Sequence, residues 1–263
     1  MSQFLLTFDK TTIFESFFIK IKSVTEYPNL ESFRHNDVEG YKLFLNLFKI
    51  GGNGVLINDE MEKIYQDKAI FSADFSKIAA ICFGFYQIDE EKGIVDKQIK
   101  SIIKENEIDT IRIFWQVLDR LYRTNKNKVL IGHNFTKFDI PFYIKRLLKY
   151  RNDLVIEDKQ GKSFKIGIPD ILKKMLIAKP WEQVVVDTAD IWKFGGISKP
   201  TLKQIERFVD YKRDDKEVLN ENINEYFWGS DPKQREQAMK EIAMVGSSDI
   251  EIIMDFMTEM RTV

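Results

Sequence analysis

Apolar positions recur along this chain with two periods, two residues in some stretches and three to four in others, and the stretches alternate. An apolar run at 4–8, Phe4-Leu5-Leu6-Thr7-Phe8, ends at Asp9 and reads as a buried strand. The next stretch carries Phe14, Phe17, Phe18, Ile19 and Ile21 without a clear period, and a helix is expected over 38–49. Gly51-Gly52-Asn53-Gly54 breaks the pattern, and Asn58-Asp59-Glu60 offers a helix start before Met61, Ile64 and Tyr65. Residues 77–88 form a strand, 89–93 a turn, and 94–103 a returning strand. Ile111, Phe114, Trp115, Leu118 and Leu121 mark an amphipathic helix over 108–121.

A short apolar strand at 128–131 then runs into Gly132-His133-Asn134-Phe135-Thr136-Lys137-Phe138-Asp139-Ile140-Pro141-Phe142, and a helix leaves it with Phe142, Ile144, Leu147 and Leu148 as apolar positions. Further helices are expected from Pro169-Asp170 through Leu176 and from Pro200-Thr201-Leu202 toward Phe208, with a strand at 184–187 between them. The last pattern, 233–260, reads as two helical stretches broken near Gly246, with Ile250, Ile253, Met254 and Met257 on the later apolar face. Strands alternating with helices, without repeats or linker-like tracts, predict one α/β domain with a mixed sheet over residues 1–263.

Bulk properties narrow the chemistry. A hydrophobic content of 44% over 263 residues is ample for a core. A net charge of −1 supplies no global attraction for nucleic acid, so any such site must be a local basic patch. The single Cys82 lies in an apolar run and excludes an internal disulfide, and two histidines, His35 and His133, argue against a zinc site. The N-terminus lacks a signal-peptide pattern and no stretch reaches the length of a membrane span, which sets a cytoplasmic location with no membrane partner as the expectation.

Asp139 stands where a strand ends and a helix begins, a position suited to carrying a metal ion. Gly132-His133-Asn134, Phe138-Asp139-Ile140-Pro141-Phe142 and Arg146 together resemble the second motif of the DEDD class of 3′–5′ exonucleases, in particular the stand-alone family related to the proofreading domain of family B DNA polymerases. Ser72-Ala73-Asp74-Phe75-Ser76-Lys77-Ile78, and the stretch from Lys179-Pro180-Trp181 through Asp187-Thr188 to Trp192-Lys193-Phe194-Gly195, resemble the same family in order and spacing. The likeness covers roughly 60–260, with 12–55 as a divergent insertion. It implies a ribonuclease-H-like mixed sheet flanked by helices.

The resemblance also implies two-metal phosphodiester hydrolysis with Mg²⁺ or Mn²⁺ held by carboxylates, the ions about 3.5–4 Å apart. The family places Asp-x-Glu on the first strand, an Asp in the second motif and an Asp on a late helix, with a Tyr or His nearby to orient water. Asp9, Asp139 and Asp249 are the matching catalytic and metal-binding acids. Thr11 stands where the family has Glu, with Glu15 the nearest later acid, and Val245 or Met244 stands where it has Tyr or His. Loss of positioned acid–base assistance costs about 10²–10⁴-fold in rate.

Asn134, Lys137, Phe138 and Arg146 are the residues expected to contact nucleic acid, DNA before RNA, with Lys145, Lys149 and Lys193 or Lys199 as further candidates for phosphates. Trp181 and Trp192 are expected in core packing, and His133 and Asp187 in structural hydrogen bonds. Two functions compete: a metal-dependent 3′–5′ exonuclease, and an inactive exonuclease-fold protein retained for binding nucleic acid or a protein partner.

Overall fold

The computed structural model describes residues 16–49, 58–89, 93–124, 129–157, 161–177, 185–196, 200–214 and 223–262. Five strands form the main sheet: β1 (Ser16–Thr25), β2 (Ser76–Asp89), β3 (Gly93–Ile102), β4 (Val129–Gly132) and β7 (Val185–Asp187), in the order β3-β2-β1-β4-β7. The β3-β2-β1 half is antiparallel, and β4 and β7 continue from β1 in parallel. Strands β5 (Val155–Glu157) and β6 (Ser163–Lys165) make a separate two-stranded ribbon.

The central strand is β1, and its alternation decides what each face receives. Phe17, Ile19 and Ile21 enter the large core beneath α4 (Glu107–Thr124), α5 (Asp139–Lys149) and α6 (Asp170–Ile177). Phe18 and Val24 point to the other face, under α10 (Pro232–Thr262), and Lys20 and Lys22 share their parity. The run 4–8 expected as the first strand, with Asp9, Thr11 and Glu15, lies outside the described residues. Within the stretch 12–55, expected as an insertion, residues 16–25 form the middle strand of the sheet. It continues into α1 (Leu30–Asn36) and α2 (Val38–Leu47), which with α3 (Asn58–Ala69) bury a satellite core around Phe33, Phe44, Tyr65 and Phe75.

The break expected near Gly246 does not occur: α10 is one helix of 31 residues. A Cβ on Gly246 would lie 2.5 Å from the Cys82 sulfur and 3.1 Å from Cγ of Lys22. Glycine is there because α10 touches the sheet, and the close packing offsets the roughly 1 kcal/mol that glycine costs a helix. This contact sets Asp249, one turn further along, over β1. Of the remaining helices, α7 (Thr188–Trp192) and α8 (Leu202–Phe208) pack on the C-terminal half of α10, and α9 (Ile223–Trp228) on its N-terminal half. Among the described residues, no helix is long and apolar enough to cross a membrane.

Candidate functional site

Strand β4 pairs with β1 only as far as Phe18. Beyond it the backbone edge of β1 is open, and the first residue of α5 fills the gap: Ile21 N–H donates to Oδ1 of Asp139 at 2.7 Å. Asp139 is 0% exposed and lies in the first turn of its helix, where the helix dipole favours an anion. Its second oxygen, Oδ2, accepts from the Lys20 ammonium at 3.3 Å. Asp249 on α10 is arranged in parallel. Lys22 reaches its Oδ2 at 2.5 Å and Arg213 donates to its Oδ1 at 2.7 Å, with Glu206 on α8 holding the other side of that guanidinium.

The structure thus brings Asp139 and Asp249 to one end of the sheet, with two lysines between them. Lys20 and Lys22 stand two residues apart on β1, with Ile21 between them. Burial works against the charge on Lys20, but the fields of Asp139, Asp249 and Asp187 outweigh it and raise its pKa, so it stays an ammonium. Burial also opposes ionisation of Asp249. There the fields of Lys22 and Lys20, and hydrogen bonds from Lys22 and Arg213, prevail and hold its pKa below the usual carboxylate value.

Among the described residues, the donor set does not fit a divalent ion. Hard Mg²⁺ or Mn²⁺ needs several anionic oxygens with lone pairs to spare, whereas both oxygens of Asp139 and both of Asp249 already accept from N–H donors. No group of three or more His, Cys, Asp or Glu that could hold a metal exists among the described residues. The Mg²⁺ or Mn²⁺ expected from the resemblance is therefore not matched by these residues, because lysine ammonium groups stand against the carboxylates. Val245, at the position expected for a water-orienting Tyr, is buried and apolar, and Met244 is exposed.

Around the lysines lies a cleft of about 830 Å³. Asn134, Lys137 and Phe138 line it as expected, Asn134 in the left-handed backbone region with φ 54°. Lys193 also lines it, and both rim lysines pair with Asp190, at 3.5 Å for Lys137 and 2.7 Å for Lys193. Lys145 and Lys149 pair elsewhere, with Asp74 and Glu26. Trp181 and Lys199 lie outside the described residues, while Trp192 packs on Phe208 and Phe256.

The expected phosphate contact at Arg146 is corrected. Its guanidinium is 0% exposed and is taken by Glu107, Glu26, the Ala73 carbonyl and Tyr150, away from the cleft. His133 is buried between the Thr188 hydroxyl and the Pro200 carbonyl, and Asp187 caps α7 and accepts from Thr136. Sequence reasoning missed Lys20, Lys22, Arg213 and Phe71. The signal for the lysines was short but present: Ile19-Lys20-Ile21-Lys22 alternates with period two.

The ion pairs make acid stability a direct readout. Asp249 and Glu26 both have folded pKa values below their ordinary 3.8 and 4.5, so each contributes stability that is complete above those values and lost as pH falls through the lower folded ones. The melting temperature is expected to fall below about pH 4.5, and Asp249→Asn or Glu26→Gln to flatten that fall. Variants whose melting tracks the native chain throughout this range would contradict the assignment.

The RNase_H superfamily model matches residues 73–244, beginning after β1 and ending before Asp249. Among solved structures, the chain is similar to the family B DNA polymerase from the hyperthermophilic archaeon Pyrobaculum calidifontis. Identity is 13% and the TM-score 0.43, over 91% of this chain and 24% of the polymerase chain, so it spans about a quarter of that protein. No curated protein matches it. With the family model covering well over half of its length, the chain belongs to the RNase H superfamily.

Proposed function

We propose that this chain is a non-hydrolytic member of the RNase H superfamily, whose cleft serves to bind nucleic acid. The observation that carries the reading is the double pairing of Lys20 with Asp139 and Lys22 with Asp249. Two-metal hydrolysis requires ions that generate hydroxide and stabilise the leaving oxygen. An ammonium ligates no metal, and a lysine whose pKa is raised does not deprotonate water. An active exonuclease would need carboxylates at the two β1 positions that these lysines fill. The superfamily membership and the lysine-lined cleft favour nucleic acid as the ligand.

The reading is tested by incubating a single strand labelled at its 3′ end with increasing protein in Mg²⁺ or Mn²⁺. No nucleotide release is expected even with protein in molar excess. Release that disappears in Asp139→Asn would overturn the proposal.

A further inference from the structure

We propose that the cleft holds a nucleotide of a single strand without any divalent ion, its phosphate against the ammonium groups of Lys20, Lys137 and Lys193 and its base against the ring of Phe71. This rests on the non-hydrolytic reading above and names the ligand and the way it is held. The cleft's size, about 830 Å³, is in the range of sites that enclose one small-molecule-sized group.

Its chemistry has two halves. On one side Lys20 donates to Asp139 through one of its three N–H bonds, and its side chain keeps 14% exposure toward the cleft it lines. Lys137 and Lys193 share the single carboxylate of Asp190, which leaves the rim with one net positive charge. On the other side Phe71, just past the end of α3, is 67% exposed and stands edge-on to Phe138, with ring centroids 6.3 Å apart. Lys20 lies 5.5 Å from the Phe138 centroid, so cation and rings form one continuous wall.

An exposed aromatic face beside fixed ammonium groups is the arrangement that receives an unstacked base and its phosphate. A duplex keeps its base faces stacked and cannot offer one to Phe71, so the inference is specific to single strands. In the metal-dependent hydrolases that this site resembles, divalent ions would meet the phosphate. Here ammonium groups fixed by Asp139 and Asp190 take that part, and chelation should not matter.

The test is fluorescence anisotropy of a labelled 12-residue single strand, DNA and RNA in separate arms, in EDTA and again in Mg²⁺. Binding of at least one strand in EDTA is expected, unchanged by Mg²⁺, with a logarithmic salt slope near −0.7 for the one phosphate held. Phe71→Ala should weaken binding by about 5- to 150-fold, the range covered by loss of one base–aromatic stack. The double variant Lys137→Glu/Lys193→Glu should weaken it at least tenfold, and the matching duplex should bind at least tenfold more weakly than the single strand. Phe71 and Lys137 are exposed and Lys193 partly so, and circular dichroism should show every variant folded.

Binding only in Mg²⁺, equal binding by the variants, or no binding by either strand would overturn the inference. The last outcome leaves the non-hydrolytic reading standing. Cleavage of the same strands on a parallel gel in Mn²⁺ would remove that reading and not the binding result in EDTA.

Discussion

The double substitution Lys20→Asp/Lys22→Glu is expected to make the chain's melting temperature depend on Mn²⁺, a dependence the native chain lacks. Each replacement removes the cation that now occupies one carboxylate and adds a further carboxylate at the same place on β1. In EDTA four acids then crowd one end of the sheet, with Asp139 and Asp249 deprived of their lysine partners and only Arg213 still paired with Asp249. Removing one partner of a buried pair costs about 3–5 kcal/mol, so the metal-free variant should melt far below the native chain. With Mn²⁺ the same four acids become ligands. Metal at a hundred times its dissociation constant restores about 2.7 kcal/mol, which for a chain of this size is a rise of about 5–10 °C.

The native chain in the same titration should not move. A folded double variant that ignores Mn²⁺ would show that these two positions on β1 do not face Asp139 and Asp249. The single variant Lys22→Glu guards against a double that fails to fold, since it keeps the Lys20–Asp139 pair and still places a carboxylate beside Asp249. Nucleotide release should stay low even in the Mn²⁺-loaded double variant. Val245 supplies no group to orient water, and that kind of assistance is worth about 10²–10⁴-fold. Metal binding and hydrolysis are thus expected to separate, binding recovered by two substitutions and rate not.

Much of this architecture could be read from residue order. The strand at β2, the return at β3 and the strand-to-helix passage at Asp139 all carried clear periodicity, because each is packed on a large core. Strand β1 went unread for a chemical reason. A search for carboxylates favours an apolar run that ends in an acid, as 4–8 does at Asp9, over one whose polar positions are Lys20 and Lys22. The alternation through Ile19, Lys20, Ile21 and Lys22 was there to be read, but its charge had the opposite sign from that sought. Gly246 misled differently: local propensity reads it as a break, and only contact with Cys82 and Lys22 explains a glycine inside a continuous helix. Neither neighbour is close to it in sequence.

Arg146 carries the second large effect. Helical spacing already points it inward, since it lies seven residues, close to two turns, after buried Asp139 and shares its face with Phe142 and Tyr143. Its Nε donates to Glu107 at 2.8 Å and its Nη1 to Glu26 at 2.7 Å, while Nη2 also pairs with Glu107. Glu107 in turn accepts from the Ile78 N–H, so one guanidinium ties together the far end of β1, the start of β2, α4 and α5.

Arg146→Met should therefore destabilise the fold by about 3–5 kcal/mol, because Glu107 is left buried with its charge uncompensated. Arg146→Lys should recover only part of this, since one ammonium cannot reproduce the planar fork that spans both acids. The double variant Arg146→Met/Glu107→Gln should recover more, as it removes the stranded charge rather than opposing it. Denaturant unfolding of the three variants separates these outcomes. An Arg146→Met chain within 1 kcal/mol of the native one would mean that the network contributes little. Because α5 begins at Asp139 and is anchored at Arg146, loosening the anchor should also disturb the Lys20 pairing two turns away. A Lys20 amine that becomes more reactive toward acylating reagents in Arg146→Lys, while the fold persists, would report that coupling.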